Sequence, residues 1–269
     1  MKTKLLLFIA LALILAGCLE IDTTSNDQTS ANACQLTSST TTLVNASGNR
    51  FNYTLNYTYN ENGLLTGIAS PDSVSLNIRL AYDDQNRLLT EKGGLYTWAG
   101  EYDARGRLVK QTRTFEFAPG RTEVYYLEHH YSPEGQLQES RYYAVEQPAD
   151  VLIYTYRYTY SNGHLAGVEQ LSEQDGRYYS ATILTDGKAS PLPTLPMHLL
   201  YMFRDEILPV MGLLEGNRIN YSVHQGEGNS GLQSFTASYT YNDAGYPTSF
   251  TRTYANGTTE QTSYTYGCR

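Results

Sequence analysis

The sequence predicts an all-β protein, built as an antiparallel meander of hairpins. Three observations predict it: a turn motif that recurs along the chain, alternation of apolar and polar residues between its copies, and 25 tyrosines among 269 residues. Tyrosine packs well on a half-buried sheet, and an alternation of period two is typical of antiparallel strands with one buried face. We expect the hairpins to form a curled sheet or open half-barrel, with a short helical insertion on its concave or aromatic side.

Composition narrows the class of protein. Hydrophobic residues make up 41% of the chain, which is enough for one sizeable core. The formal net charge is -8. Because nucleic-acid-binding domains rely on a basic face, we expect no nucleic-acid partner.

The N-terminus has the features of an export signal. Lys2 and Lys4 precede an apolar run over residues 5–17, which is too short to span a bilayer as a helix, since that takes about 20 residues. The run ends in Leu15-Ala16-Gly17-Cys18, which resembles the lipobox of bacterial lipoproteins. The resemblance implies that residues 1–17 are removed and that Cys18 carries a diacylglycerol and an acyl chain. Ordinary secretion is the alternative.

This resemblance implies a place in the cell as well. A chain with two or more acyl groups stays anchored to a membrane, so the membrane is an expected partner through Cys18. Leu19 stands where an aspartate would favour retention in the inner membrane of enteric bacteria. We therefore expect the bacterial cell envelope, with the outer membrane favoured over the inner one and the face of the membrane left open.

Two segments follow the lipidated cysteine. Residues 18–33 are rich in Thr, Ser, Asn, Asp and Gln, and we expect a flexible tether there. Residues 34–269 are expected to form a single β-repeat domain. Cys34 and Cys268 lie at its two ends, and in an oxidising compartment we expect them to form a disulfide, with two unpaired thiols as the alternative.

The recurring motif is a tyrosine, then Asp, Asn or Ser, two variable residues, Gly, any residue and Leu. The second residue can hydrogen-bond the backbone ahead, and the glycine accepts the left-handed conformation that turns the chain back. Each copy therefore predicts a hairpin tip, with Asn86 in place of the glycine in the second one. The copies begin at Tyr59, Tyr82, Tyr102, Tyr131, a shorter Tyr160 and a degenerate Tyr241.

Between the tips, residues alternate. Phe51, Tyr53, Leu55, Tyr57 and Tyr59 share one predicted face, and Leu152, Tyr154, Tyr156, Tyr158 and Tyr160 share another. Two interpretations of Tyr154, Tyr156, Tyr158 and Tyr160 stay open. Either the rings fill a half-buried sheet, or the row is exposed and binds sugar rings or a protein partner.

A long gap separates the tips at Tyr160 and Tyr241. Within it, Leu199, Leu200, Phe203, Ile207 and Leu208 recur at helical spacing after a proline-rich stretch. We expect a helical insertion over about residues 190–216.

The tips resemble the YD repeats of the Rhs family. Together with the lipobox, the sequence is similar to small Tyr-rich bacterial lipoproteins of unknown function that carry Rhs-like repeats. The resemblance implies a hairpin architecture and offers no catalytic residues. The copies are too few to close a shell, and no toxin domain follows, so an encapsulating role is not implied.

The sequence contains no nucleophile elbow, P-loop or zinc-protease motif, and the histidines do not stand at metal-binding spacing. We expect no catalytic residues, metal or cofactor. The favoured function is that of a non-enzymatic binding or scaffolding protein for a glycan or an envelope protein. The alternatives are a hydrolase of envelope or dietary polysaccharide that uses carboxylates such as Asp83, Asp84, Glu101 or Asp103, and a structural spacer.

Overall fold

The structure is a computed structural model, and it describes residues 34–71, 73–94, 96–118, 120–188, 190, 216–225 and 234–268. The expected signal peptide, the lipidated Cys18, the tether and nearly all of the expected helical insertion lie outside these residues. The chain divides into two compact units, Met1–Ala33 with Cys268–Arg269, and Cys34–Gly267. The second unit contains the β-sheet.

The described residues form sixteen β-strands. The strands are β1 (Cys34–Val44), β2 (Arg50–Tyr59), β3 (Leu65–Ser70), β4 (Ser73–Tyr82), β5 (Leu88–Lys92), β6 (Tyr96–Tyr102), β7 (Leu108–Ala118), β8 (Arg121–Tyr131), β9 (Leu137–Ala144), β10 (Val151–Ser161), β11 (His164–Ser172), β12 (Tyr178–Thr185), β13 (Arg218–Gln225), β14 (Phe235–Tyr241), β15 (Pro247–Tyr254) and β16 (Thr259–Cys268).

Each strand pairs with the next one along the chain, and β1 pairs with β16, so the sheet is a closed barrel. At the closing seam the Thr37 hydroxyl donates to the Thr265 carbonyl at 3.0 Å, and the Thr41 and Thr262 hydroxyls lie 2.7 Å apart. The expectation of an open half-barrel is therefore wrong, and the expected helical insertion lies almost wholly outside the described residues. The sheet has no free edge, and the described residues contain no helix.

The predicted hairpin tips are confirmed. At the second tip the Asp83 carboxylate accepts hydrogen bonds from the Gln85 and Arg87 amides, both at 2.9 Å, and Asn86 has a φ of 61°. The shorter tip turns on Asn162 and Gly163, which both have positive φ, as a two-residue hairpin turn requires. The strand register shifts at the tyrosine that opens each of the six tips.

A seventh tip lies in the long gap, between β12 and β13. The register shifts at Thr185, which takes the place of the tyrosine, and Thr185 pairs with Arg218, which takes the place of the leucine. The Asp186 carboxylate accepts from the Asn217 amide at 3.0 Å, and Gly216 has a φ of 92°. This turn thus holds together the two described ends of the gap, Asp186 and Asn217.

A hydrogen bond joins each regular tip to the one before it. The tyrosine hydroxyl donates to the backbone carbonyl of the preceding leucine, as in Tyr82 to Leu65 at 2.7 Å and Tyr160 to Leu137 at 2.8 Å. The same bond runs from Tyr59 to Leu36, Tyr102 to Leu88, Tyr131 to Leu108 and Tyr266 to Pro247. Burial raises the pKa of Tyr59, Tyr82, Tyr102 and Tyr131 to about 12, so these hydroxyls remain donors.

The first and last strands, β1 and β16, complete the series of tips. Tyr266 on β16 occupies the tyrosine position and Leu36 on β1 the leucine position of an eighth tip that has no turn. Cys34 and Cys268 are both disulfide-bonded, which confirms the predicted bridge. Eight two-stranded units therefore close the barrel, whereas the sequence motif reveals only six.

The inner wall of the barrel is filled with side chains. Tyr57, Tyr156 and Tyr158 are buried there together with aliphatic residues, in two clusters centred on opposite parts of the wall. Many outward-facing residues on the barrel strands are polar, as the alternation predicts, although Leu89 and Leu184 are also exposed on this face. Exposed polar ones include Thr40, Asn52, Thr58, Arg79, Lys92, Glu101, Arg141, Arg157, Thr182, Thr236, Gln261 and Thr265.

Candidate functional site

A row of aromatic rings lies on the inner wall near the end of the barrel opposite the tips. It crosses β6 to β10, and its members share the face of the buried residues Trp98 and Leu127. All five are half-buried, in contrast to the fully buried residues nearer the tips. We call Tyr96, Phe115, Tyr125, Tyr142 and Tyr154 the aromatic row.

The rings of the aromatic row are in continuous contact. Tyr125 and Tyr142 are nearly parallel with centroids 5.6 Å apart, and Tyr142 and Tyr154 are nearly parallel at 6.1 Å. Phe115 meets Tyr125 edge-on at 6.0 Å. Phe117, near the end of β7, continues the row toward solvent, since it stacks on Phe115 and is 49% exposed.

Charged groups flank the aromatic row. Tyr125 donates to one Glu123 carboxylate oxygen at 3.0 Å, and Arg121 donates to the other at 2.8 Å. These hydrogen bonds lower the pKa of Glu123, so it is ionised at neutral pH. The Arg113 guanidinium lies 5.6 Å from the Tyr96 ring centroid, and the Tyr96 hydroxyl donates to the buried Glu91. Rings, a carboxylate and guanidinium groups are thus arranged side by side.

The structure separates the tyrosines Tyr154, Tyr156, Tyr158 and Tyr160. Tyr154 belongs to the aromatic row, Tyr156 and Tyr158 are 5% and 7% exposed, and Tyr160 makes a tip bond. Only Tyr154 among them is placed where a ligand at the barrel end could reach its ring.

A buried hydrogen-bond cluster lies deeper inside. Tyr158 donates to the Ser140 hydroxyl at 3.0 Å, and Ser140 lies 2.7 Å from Nδ1 of His129. The Nε2 atom of His129 has no hydrogen-bond partner among the described residues. Burial, with a smaller effect of His130, lowers the pKa of His129 to about 4. Ser140 is 0% exposed and His129 5%, so this serine–histidine pair is enclosed among the buried side chains.

The carboxylates at the tips serve the turns. Asp83 and Asp103 each accept backbone hydrogen bonds, and each pairs with an arginine four residues on, at 2.7 Å. These bonds lower the pKa of both carboxyls. No group of three or more His, Cys, Asp or Glu side chains that could hold a metal is found in the part of the chain that the structure describes.

Membrane-spanning helices require a long apolar segment. Within the described ranges, no segment is a helix long and apolar enough to cross a bilayer.

Sequence reasoning missed most of the aromatic row. Phe115, Tyr125 and Tyr142 stand on different strands, and only the strand register brings them together. A usable signal was present, because Tyr96, Tyr125 and Tyr154 each stand six residues before a tip tyrosine. In a meander, residues at the same distance from successive tips come to lie in one layer.

No protein-family model and no curated protein matches the sequence. Among solved structures, the barrel is similar to a porin-like protein from Bacteroides uniformis, with a TM-score of 0.53, 17% identity, and coverage of 86% of this chain and 96% of that one. A porin-like protein from Bacteroides vulgatus matches with a TM-score of 0.50, 11% identity, and coverage of 87% and 99%.

A third solved structure, of TcdB2-TccC3-TEV, matches with a TM-score of 0.30 and 15% identity, over 78% of this chain and 10% of that one, which is too weak to support an inference. At these identities the comparisons show the fold alone. The chain shares its barrel fold with two porin-like proteins of Bacteroides.

Proposed function

We propose that this chain is a lipid-anchored protein of the bacterial envelope whose barrel stands in water and binds a neutral glycan at the aromatic row. The anchor follows from the resemblance of Leu15-Ala16-Gly17-Cys18 to a lipobox. The position in water rests on the polarity of the barrel wall, and the binding role rests on the aromatic row.

The polarity of the barrel wall supports a barrel in water. A barrel that spans a membrane turns an apolar band toward the lipid and a polar face toward its lumen. Here buried Tyr57, Trp98 and Val168 face inward, while exposed Arg79, Arg141 and Arg157 face outward. A charged residue facing the middle of a bilayer costs about 2–4 kcal/mol, so this outer wall suits water.

The aromatic row is the observation that carries the binding role. Aromatic faces accept the C–H faces of sugar rings, and neighbouring carboxylate and guanidinium groups can hydrogen-bond their hydroxyls. Phe117, Tyr125 and Glu123 combine these features at an accessible barrel end. The acidic chain, with a net charge of -8, favours an uncharged glycan over an anionic one.

The proposal does not include catalysis. A glycosidase needs a carboxylic acid with a raised pKa opposite a second carboxylate. Asp83, Asp103 and Glu123 instead have lowered pKa values, because each is bonded to an arginine.

Glycan binding is tested with purified residues 19–269 on arrays of neutral and acidic polysaccharides, followed by calorimetry. We expect a neutral glycan to bind, and binding to weaken at least tenfold in a Phe115→Ala, Tyr142→Ala variant. Tyr143→Ala is the matched control, since Tyr143 stacks on Tyr126 at 4.8 Å on neighbouring strands β8 and β9 outside the row. Absence of glycan binding, or equal binding by the row variant, contradicts the proposal.

The anchor is tested separately by membrane fractionation of the full chain. We expect Cys18→Ala to move the protein from the membrane to the soluble fraction. Retention of this variant in the membrane contradicts the anchor.

A further inference from the structure

A cleft of about 440 Å³ opens at the other end of the barrel, between the first two hairpin tips. One wall comes from the β2–β3 tip and the other from the β4–β5 tip. The residues that concern its chemistry are Asn60, Asn62, Leu64, Tyr82, Asp84 and Asn86. Its volume lies within the usual range of small-molecule sites, about 300–1,000 Å³.

The cleft exists because one repeat position departs from its neighbours. In the next two gaps an arginine lies over the tyrosine of the following tip: Arg87 over Tyr102 with its Cζ 4.7 Å from the ring centroid, and Arg107 over Tyr131 at 4.8 Å. In the first tip Leu64 takes the position of these arginines. The shorter leucine leaves space above Tyr82, and both residues line the cleft.

Two polar side chains of the cleft, Asn60 and Asp83, are held in place by the turns. The Asn60 side-chain oxygen accepts from the Leu64 backbone amide at 2.9 Å, which fixes the position of that side chain. Asp83 is fixed by Arg87 and by two backbone amides. Preorganised groups of this kind lose little conformational entropy when they bind a ligand.

We propose that this cleft binds a single hydroxyl-rich ring, that is, one saccharide residue. The amides of Asn60, Asn62 and Asn86 can donate to and accept from neighbouring hydroxyls, and the Asp84 carboxylate can accept from two. The Tyr82 ring supplies a face for the C–H side of the sugar. This site is separate from the aromatic row, so either can fail while the other stands.

Saturation-transfer NMR on the full chain tests the proposal, with glucose, galactose, mannose and N-acetylglucosamine as probes and arginine methyl ester as a cationic comparison. Leu64→Arg installs the residue that the next two tips carry, so it should fill the cleft without disturbing the fold. We expect at least one sugar to receive saturation, and its affinity to fall at least tenfold in Leu64→Arg. The Phe115→Ala, Tyr142→Ala variant lacks two rings of the aromatic row. The saturation-transfer signal that comes from the cleft should therefore persist in this variant.

A second cleft variant guards against a folding defect in Leu64→Arg. Asn62→Ala with Asp84→Ala changes exposed side chains only and should weaken binding as Leu64→Arg does. Lack of sugar binding by the unmodified chain, unchanged binding in both cleft variants, or binding of arginine methyl ester in place of the sugars would each overturn the proposal.

Discussion

The hydroxyl of Tyr102 donates a 2.8 Å hydrogen bond to the backbone carbonyl of Leu88, the leucine of the preceding hairpin tip. Six such bonds run around the tip end of the barrel and join six of the eight neighbouring pairs of two-stranded units; the β12–β13 unit takes part in none of them. Each of these tyrosines opens its own hairpin tip, and its hydroxyl also binds the preceding tip.

Replacing Tyr102 with phenylalanine tests this relationship. The ring remains and the Leu88 carbonyl loses its donor, so we expect the free energy of unfolding to fall by about 1 kcal/mol, the usual net value of one hydrogen bond. Urea denaturation of Tyr102→Phe against the unmodified protein measures it. Tyr246→Phe, whose ring contacts Tyr266 at another tip, is the control and should change stability less. Equal effects would contradict a special role for the tip bond.

Acid should destabilise the protein through His129. Its pKa is about 4 in the folded state and about 6.5 when the chain is unfolded, so the unfolded state binds the proton first. Its contribution to stability is complete above pH 6.5 and is lost as the pH falls toward 4, by about 3 kcal/mol in total. Denaturation at several pH values measures how the free energy of unfolding depends on pH. Between pH 6.5 and 4, this free energy should fall less steeply in His129→Gln than in the unmodified protein. His164→Gln, at the exposed start of β11, should keep the pH dependence of the unmodified protein.

The disulfide closes the eighth unit, which has no turn of its own. We expect Cys34→Ser with Cys268→Ser to lower the free energy of unfolding by roughly 3–5 kcal/mol, because a very long loop of the unfolded chain is released. Calorimetry or denaturant titration of the double variant tests this. A stability equal to that of the oxidised protein would mean that the β1–β16 seam alone closes the barrel.

The sequence predicted the local structure better than the closure. Alternation and the Tyr…Gly…Leu motif located the hairpins because both record local geometry. To predict that the barrel closes, one must count all eight two-stranded units, and two of these units do not carry the motif. One has Thr185 and Arg218 at the defining positions and an insertion in its turn, and the other is divided between Tyr266 and Leu36.

The candidate sites show the same limit. Phe115 and Tyr142 become neighbours of Tyr125 and Tyr154 only through strand register, which a single sequence does not specify. The cleft above Tyr82 depends on Leu64 being shorter than an arginine two units away, and this matters only once the tips stand side by side.

The most direct test concerns the claim that side chains fill the inside of the barrel and that its outer wall faces water. The single tryptophan, Trp98, is 2% exposed on the inner wall and donates to Gln111 at 2.9 Å. In detergent-free buffer, its fluorescence should resist quenching by iodide and acrylamide, and brominated lipid vesicles should not quench it either. Strong quenching by iodide would indicate a water-filled channel, quenching by brominated lipid would indicate a wall turned toward the bilayer, and either result would contradict a filled barrel that stands in water.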